Sequence, residues 1–139
     1  MARRRTETRA RARALQALYA CDMRGERDLE RLALKVWEDL AVGPDERKAA
    51  HALIRQVVTR RVDLDRALAD VTENWRMERL GAIERSVLRL AAAELAAGET
   101  PPRVVLQEAI RLAERYGSAQ SARFVNGVLD ALARRMGRL

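Results

Sequence analysis

Apolar residues recur along most of this chain at intervals of three and four, the spacing that lines one face of a helix. Ala12, Leu15, Leu18, Tyr19 and Met23 form the first such stripe and predict a helix from near Thr6 or Thr8 to about Met23. Leu29, Leu32, Val36, Trp37 and Leu40 form the second, from about Asp28 to Val42, where Gly43-Pro44 stops it. A long third segment, about 45 to 74, keeps a near-heptad rhythm through Leu53, Ile54, Val57, Val58, Leu64, Leu68 and Val71. Arg60-Arg61 interrupts that rhythm, which marks either a kink or the place where one helix passes from one small bundle to another.

A short turn is expected around Glu78 to Leu80, and then a helix from about Ala82 to Ala97 that buries Ile83, Val87, Leu90, Ala91 and Leu95. Gly98 follows as a left-handed cap. Thr100-Pro101-Pro102 has the form of an N-cap with prolines in the first turn, after which Val105, Ala109, Leu112, Ala113 and Tyr116 make the next stripe and Gly117 closes it. The last helix is expected from Ser118 or Ala119 to about Met136, over Phe124, Val125, Val128, Leu129 and Leu132. Its period continues through Asn126-Gly127. A glycine inside a helix costs about 1 kcal/mol against alanine, so close backbone packing is expected there as the compensation. The count is six or seven helices, with no strand and no repeat of fixed period: an all-α chain.

Composition agrees, with 25 Ala and 18 Leu among 139 residues and only five aromatics. A chain of this length holds one domain with its own core. No run approaches the roughly 18 to 20 apolar residues of a membrane span, and the polar start lacks the apolar stretch of a secretory signal, so the expected location is the cytoplasm. One cysteine, Cys21, and one histidine, His51, make no zinc-binding set. No glycine pattern cradles a phosphate, and His51 has no Ser or Cys beside it to activate. The chain is therefore expected to be neither an enzyme nor the carrier of a metal or other cofactor.

Charge changes the picture. The 27 cationic residues, 25 of them arginine, face 20 acids for a net +7. Residues 1–24 alone hold seven Arg against Glu7 and Asp22. Beyond them cations and acids nearly balance, as codon preference on solvated helix faces would produce. Arg3, Arg4, Arg5, Arg9, Arg11 and Arg13 crowd into thirteen positions, and such a run repels itself until it meets a polyanion. The run continues without a break into an apolar stripe, unlike a removable targeting peptide. Arg11, one turn before Leu15, is expected to project past the end of the core, near the surface that Tyr19 borders. Arginine binds phosphate bidentately and stacks on bases, and single-stranded RNA is read on aromatic and guanidinium planes. Tyr19 and Phe124 are the aromatics to seek beside it, with a place in the helical core as the competing role for each.

Ala14-Leu15-Gln16-Ala17-Leu18-Tyr19, then Glu84-Arg85-Ser86-Val87-Leu88-Arg89-Leu90-Ala91 with Glu94-Leu95, and finally Arg123-Phe124-Val125-Asn126-Gly127-Val128-Leu129-Asp130 occur in that order. Between them lies Pro101-Pro102-Arg103-Val104-Val105-Leu106-Gln107-Glu108-Ala109-Ile110, followed by Leu112-Ala113 and Tyr116-Gly117. Together these segments, from about 9 to 132, closely resemble the NusB family of transcription antitermination factors. The resemblance implies two three-helix bundles: a basic, flexible leader over 1–8, an N-terminal bundle with the connecting long helix over about 9–74, and a C-terminal bundle over about 75–136. It implies binding of boxA RNA in nascent ribosomal RNA together with NusE, a ribosomal small-subunit protein, within the RNA polymerase elongation complex that includes other Nus factors. The RNA face it implies comprises Arg9, Arg11, Tyr19, Gln120, Ser121 and Phe124, to which the charge run adds Arg3, Arg4, Arg5 and Arg13. Glu84 matches a position associated with NusE, expected on a different surface. Some family members form homodimers, and the sequence does not choose.

The leader departs from the family pattern, with Glu7 and Thr8 before Arg9 and a triple arginine at 3 to 5. Gln120 stands where some relatives carry an acid, and a neutral residue there repels RNA less. A second resemblance, to the RNA-binding N-terminal domain of ribosomal RNA cytosine methyltransferases, requires the 139 residues to be part of a longer chain.

Overall fold

The computed structural model describes residues 2–72 and 79–139. Six helices account for these residues: α1 (Ala2–Arg24), α2 (Leu29–Asp39), α3 (Pro44–Val71), α4 (Ala82–Ala97), α5 (Pro102–Tyr116) and α6 (Ala119–Arg135). No strand occurs among them. Helices α1 and α2 pack with α3 as one three-helix bundle, and α4, α5 and α6 form the other. The two share a continuous core, because α3 also packs on α4 and α6, and α1 on α4 and α5.

The boundaries follow local chemistry. Asp28 caps α2 by accepting from the Arg31 amide, and Ser118 caps α6 by accepting from that of Ser121. Helix α5 starts one residue later than the sequence suggests: Pro101, rather than Thr100, holds the N-cap position. Gly98 ends α4 in the left-handed region at φ +71. Arg60-Arg61 does not break α3, which runs on as one helix. Arg55 on it pairs with Glu30 of α2, whereas Asp65 receives Arg89 of α4 and Asp70 meets Arg135 of α6. One uninterrupted rod thus passes from the first bundle to the second. The expected end of this helix at 74 and the start of the turn at Glu78 fall outside the described residues.

Two expectations change. The first helix begins at Ala2 rather than Thr6 or Thr8, so the leader is helical through its arginines. Arginine is a strong helix former, no glycine or proline intervenes, and Arg3 reaches Glu7 one turn on. Gly127 is the second: a methyl group built there would meet nothing within 4 Å among the described residues, so no close packing by them compensates for it.

Helix α4 is the central element, buried on all sides from Ser86 to Leu95, as its nearly uniform apolar sequence requires. Its two charged residues in that stretch are both paired. Arg89 forks onto Asp65 at 2.8 and 3.1 Å, and Glu94 receives an arginine of α1. Trp37, fully buried, fastens α2 to α1 by donating its indole N–H to the Arg13 carbonyl at 3.0 Å. No helix of the described residues is long and apolar enough to cross a membrane.

Candidate nucleic-acid interface

Helix α1 carries most of the candidate residues on one rigid element. Arg3, Arg4, Arg5 and Arg9 are exposed, and Arg13 is half-buried. No acid lies in the first turn, so three arginines crowd the positive end of the helix dipole, an arrangement that disfavours the isolated helix and favours a bound anion. Among the described residues, Glu46 of α3 is the carboxylate that pairs with both Arg9, at 3.6 Å, and Arg13, at 3.3 Å.

Arg11 does not project past the core. It is 5% exposed, and its Nε and Nη2 each donate to a different oxygen of Glu94 at 2.8 Å. Glu108 of α5 lies 3.7 Å away and also accepts from the Thr8 hydroxyl at 2.8 Å. Burial by itself would depress the Arg11 pKa, but the fork to Glu94 and the nearby Glu108 outweigh it and hold the guanidinium above its ordinary value. Arg11 therefore ties α1 to α4 and α5 from inside, with its side chain almost wholly withdrawn from solvent.

Tyr19 is 38% exposed, and Phe124 is half-buried against the core. Gln120, Ser121 and Phe124 line a cavity of about 310 Å³ where the start of α6 meets the start of α4. Glu84 lines the same cavity. This corrects two expectations. Ser121 is buried and donates its hydroxyl to Glu84, so it joins the two helices rather than facing solvent. Glu84 accordingly shares the surface of Gln120 and Phe124 instead of lying on a separate one. Gly117 permits the tight approach of α6, since a Cβ there would lie 2.8 Å from the Ser121 hydroxyl oxygen of α6, as well as 2.8 Å from the Ala113 carbonyl oxygen of α5.

Alongside α1, helix α5 runs in register with it. Thr8 meets Glu108, and Gln16 donates to the Tyr116 hydroxyl at 3.5 Å eight residues further along each helix. Between these two pairs lies a groove of about 360 Å³. Arg9 and Arg13 line one side and Arg111 and Arg115 the other. The α5 pair is inconspicuous in the sequence, where its arginines look like ordinary solvated positions; their i, i+4 spacing ahead of Tyr116 is the signal that marks them.

A sequence profile of the NusB family matches residues 8–134. The chain belongs to the NusB family. It is 44% identical to the transcription antitermination protein NusB of Anaeromyxobacter dehalogenans, over 91% of this chain and 89% of that protein. Among solved structures, NusB of T. maritima superposes with a TM-score of 0.84 at 32% identity, over 92% of this chain and 90% of that one. A structure of the antitermination factors NusB and NusE in complex with dsRNA includes a chain that superposes with a TM-score of 0.86 at 29% identity, covering 94% and 98%.

Proposed function

We propose that this protein is a transcription antitermination factor that binds single-stranded boxA-type RNA of nascent ribosomal transcripts jointly with NusE. It acts by binding and catalyses no reaction. The observation that carries this reading is the match over almost the whole chain to a family whose structure with NusE and RNA superposes on it closely. The physical features agree. The dipole end of α1 presents Arg3, Arg4 and Arg5 without a neutralising acid in its first turn. Arg9 and Arg13 continue the charge, and Tyr19, Phe124 and Gln120 supply base contacts at the other end of the same surface. Arg11 and Ser121 serve this face as positioning residues, through Glu94 and Glu84. NusE docks beside the cavity that holds Glu84, close to the RNA, so that the two ligands support one another. The complex then joins the RNA polymerase elongation complex with the other Nus factors.

The test is a titration of a boxA-like RNA and a scrambled control, with and without NusE, at moderate salt. Tighter binding of the boxA-like RNA in the presence of NusE is expected. Equal binding of the two RNAs would overturn the specific function and leave the fold untouched.

A further inference from the structure

Two pairs of arginines face each other across the groove between α1 and α5. Arg9 and Arg13 stand one turn apart on α1, and Arg111 and Arg115 one turn apart on α5. Like charges at this spacing repel one another along a helix. On α1 the repulsion is eased by Glu46, which both arginines share. On α5 it is not: Arg111 and Arg115 are exposed, and neither has an ion-pair partner among the described residues. Glu108, the other carboxylate of the groove, is taken up by Thr8 and stands beside Arg11. Four guanidinium groups therefore face two carboxylates that are already engaged.

Arg115 stacks on Tyr116, with its guanidinium carbon 5.2 Å from the ring centroid. This orders one of the unneutralised cations and leaves a flat cationic surface at the end of the groove. That end is also where the RNA face resumes. Tyr19 follows Gln16 by one helical turn, and Gln16 is the residue that reaches Tyr116. Past Tyr116 the chain turns through Gly117 directly into the start of α6, which carries Gln120 and Phe124. Thr8 borders its opposite end, one helical turn after Arg4 and Arg5 on α1. The groove thus lies between the basic leader and the aromatic end of the interface.

We infer that the α1–α5 groove is a second binding track for the sugar–phosphate backbone of single-stranded RNA, with Arg111 and Arg115 as phosphate ligands opposite Arg9 and Arg13. The inference rests on the RNA-binding reading above and extends it to α5. Rows of guanidinium groups about 6 Å apart along each helix suit successive phosphates, and a polyanion replaces the counterions that Arg111 and Arg115, without carboxylate partners among the described residues, otherwise hold.

The experiment uses the full chain with Arg111→Gln and Arg115→Gln together, which keeps helix propensity and removes both charges. A boxA-like RNA with flanking nucleotides is titrated by fluorescence anisotropy across a salt series, for the parent and the variant. Affinity should fall severalfold, and the slope of log affinity against log salt should flatten by about 1.4, about 0.7 for each of two phosphates. Lysine at both positions should restore the slope, since it restores the charge. If the parent binds the RNA and the glutamine variant shows the same affinity and slope, the groove is not a track. A slope that lysine fails to restore would overturn the electrostatic assignment. Loss of NusE binding with RNA binding intact would give the pair to a protein interface instead. Failure of the parent to bind any RNA, with or without NusE, would overturn the functional reading beneath the proposal.

Discussion

Arg11 of α1 and Glu94 of α4, 83 positions apart in the chain, form a two-pronged ion pair with both hydrogen bonds at 2.8 Å. Each side chain is 6% exposed. Removing one member of such a pair strands the other in a medium that solvates it poorly, which costs about 3 to 5 kcal/mol. Arg11→Ala is expected to destabilise by that amount in urea unfolding. Arg11→Met with Glu94→Leu should cost less than Arg11→Ala alone, because no unpaired charge is left. The folded fraction of Arg11→Lys should keep the salt slope of RNA binding, since Arg11 is buried and its Nε and Nη2 are held by Glu94. A flattened slope in that variant would return Arg11 to the RNA-binding residues.

The exposed arginines of α1 should behave in the opposite manner. Arg3→Ala, Arg4→Ala, Arg5→Ala and Arg9→Ala combined remove four solvated cations and two ion pairs, Arg3 with Glu7 and Arg9 with Glu46, the second of which Arg13 still covers. Exposed pairs contribute about 0 to 1 kcal/mol, and relieving the crowded dipole end offsets even that. Thermal stability should therefore change little. RNA affinity should fall, and its salt slope should flatten by about 0.7 for each phosphate that the protein no longer neutralises. An unchanged slope would show that the leader takes no part in binding.

The stripes of apolar residues locate every helix of the described residues, because burial of one face is written locally, within three or four positions. What a stripe does not contain is the identity of the helix opposite. Arg11 sits on the buried side of its helix and Glu94 lies in a family motif, yet nothing local joins them. Only the fold brings the turn before Leu15 against the last turns of α4. Glu84 and Ser121 repeat the point: the sequence suggests a protein-binding role for one and an RNA-binding role for the other, and they touch. The start of α1 is misleading for a different reason. Thr6 and Thr8 are good capping residues, but capping preference competes with a run of strong helix formers and loses. Arg111 and Arg115 carry a local signal in their spacing ahead of Tyr116, but the groove does not show in the sequence because their counterparts, Arg9 and Arg13, lie about a hundred positions away.

Gly127 offers a test of helix chemistry without a functional cost in the core. It is exposed within α6, and an added Cβ would meet nothing within 4 Å among the described residues. Gly127→Ala should stabilise the protein by about 1 kcal/mol, the difference in helix propensity, seen as a higher urea midpoint with an unchanged denaturant slope. A loss of stability would mean that something packs against this position after all. A stable variant that no longer binds RNA or NusE would instead reveal a ligand that approaches the bare backbone of Gly127.

Gln120 separates binding from folding most sharply. It is exposed at the second position of α6, beyond the Ser118 cap, and lines the cavity shared by Glu84 and Phe124. An acid in the first turn complements the helix dipole, typically by about 0.3 to 1 kcal/mol. Gln120→Asp should therefore hold or raise thermal stability. The same charge faces the phosphates of RNA bound at Phe124 and adds to the negative field of Glu84, so affinity should fall at low salt. The loss should shrink as salt screens the repulsion. Stability and affinity moving in opposite directions cannot come from a disturbed fold. Equal RNA affinity for the two proteins at low salt would place the RNA path away from the start of α6.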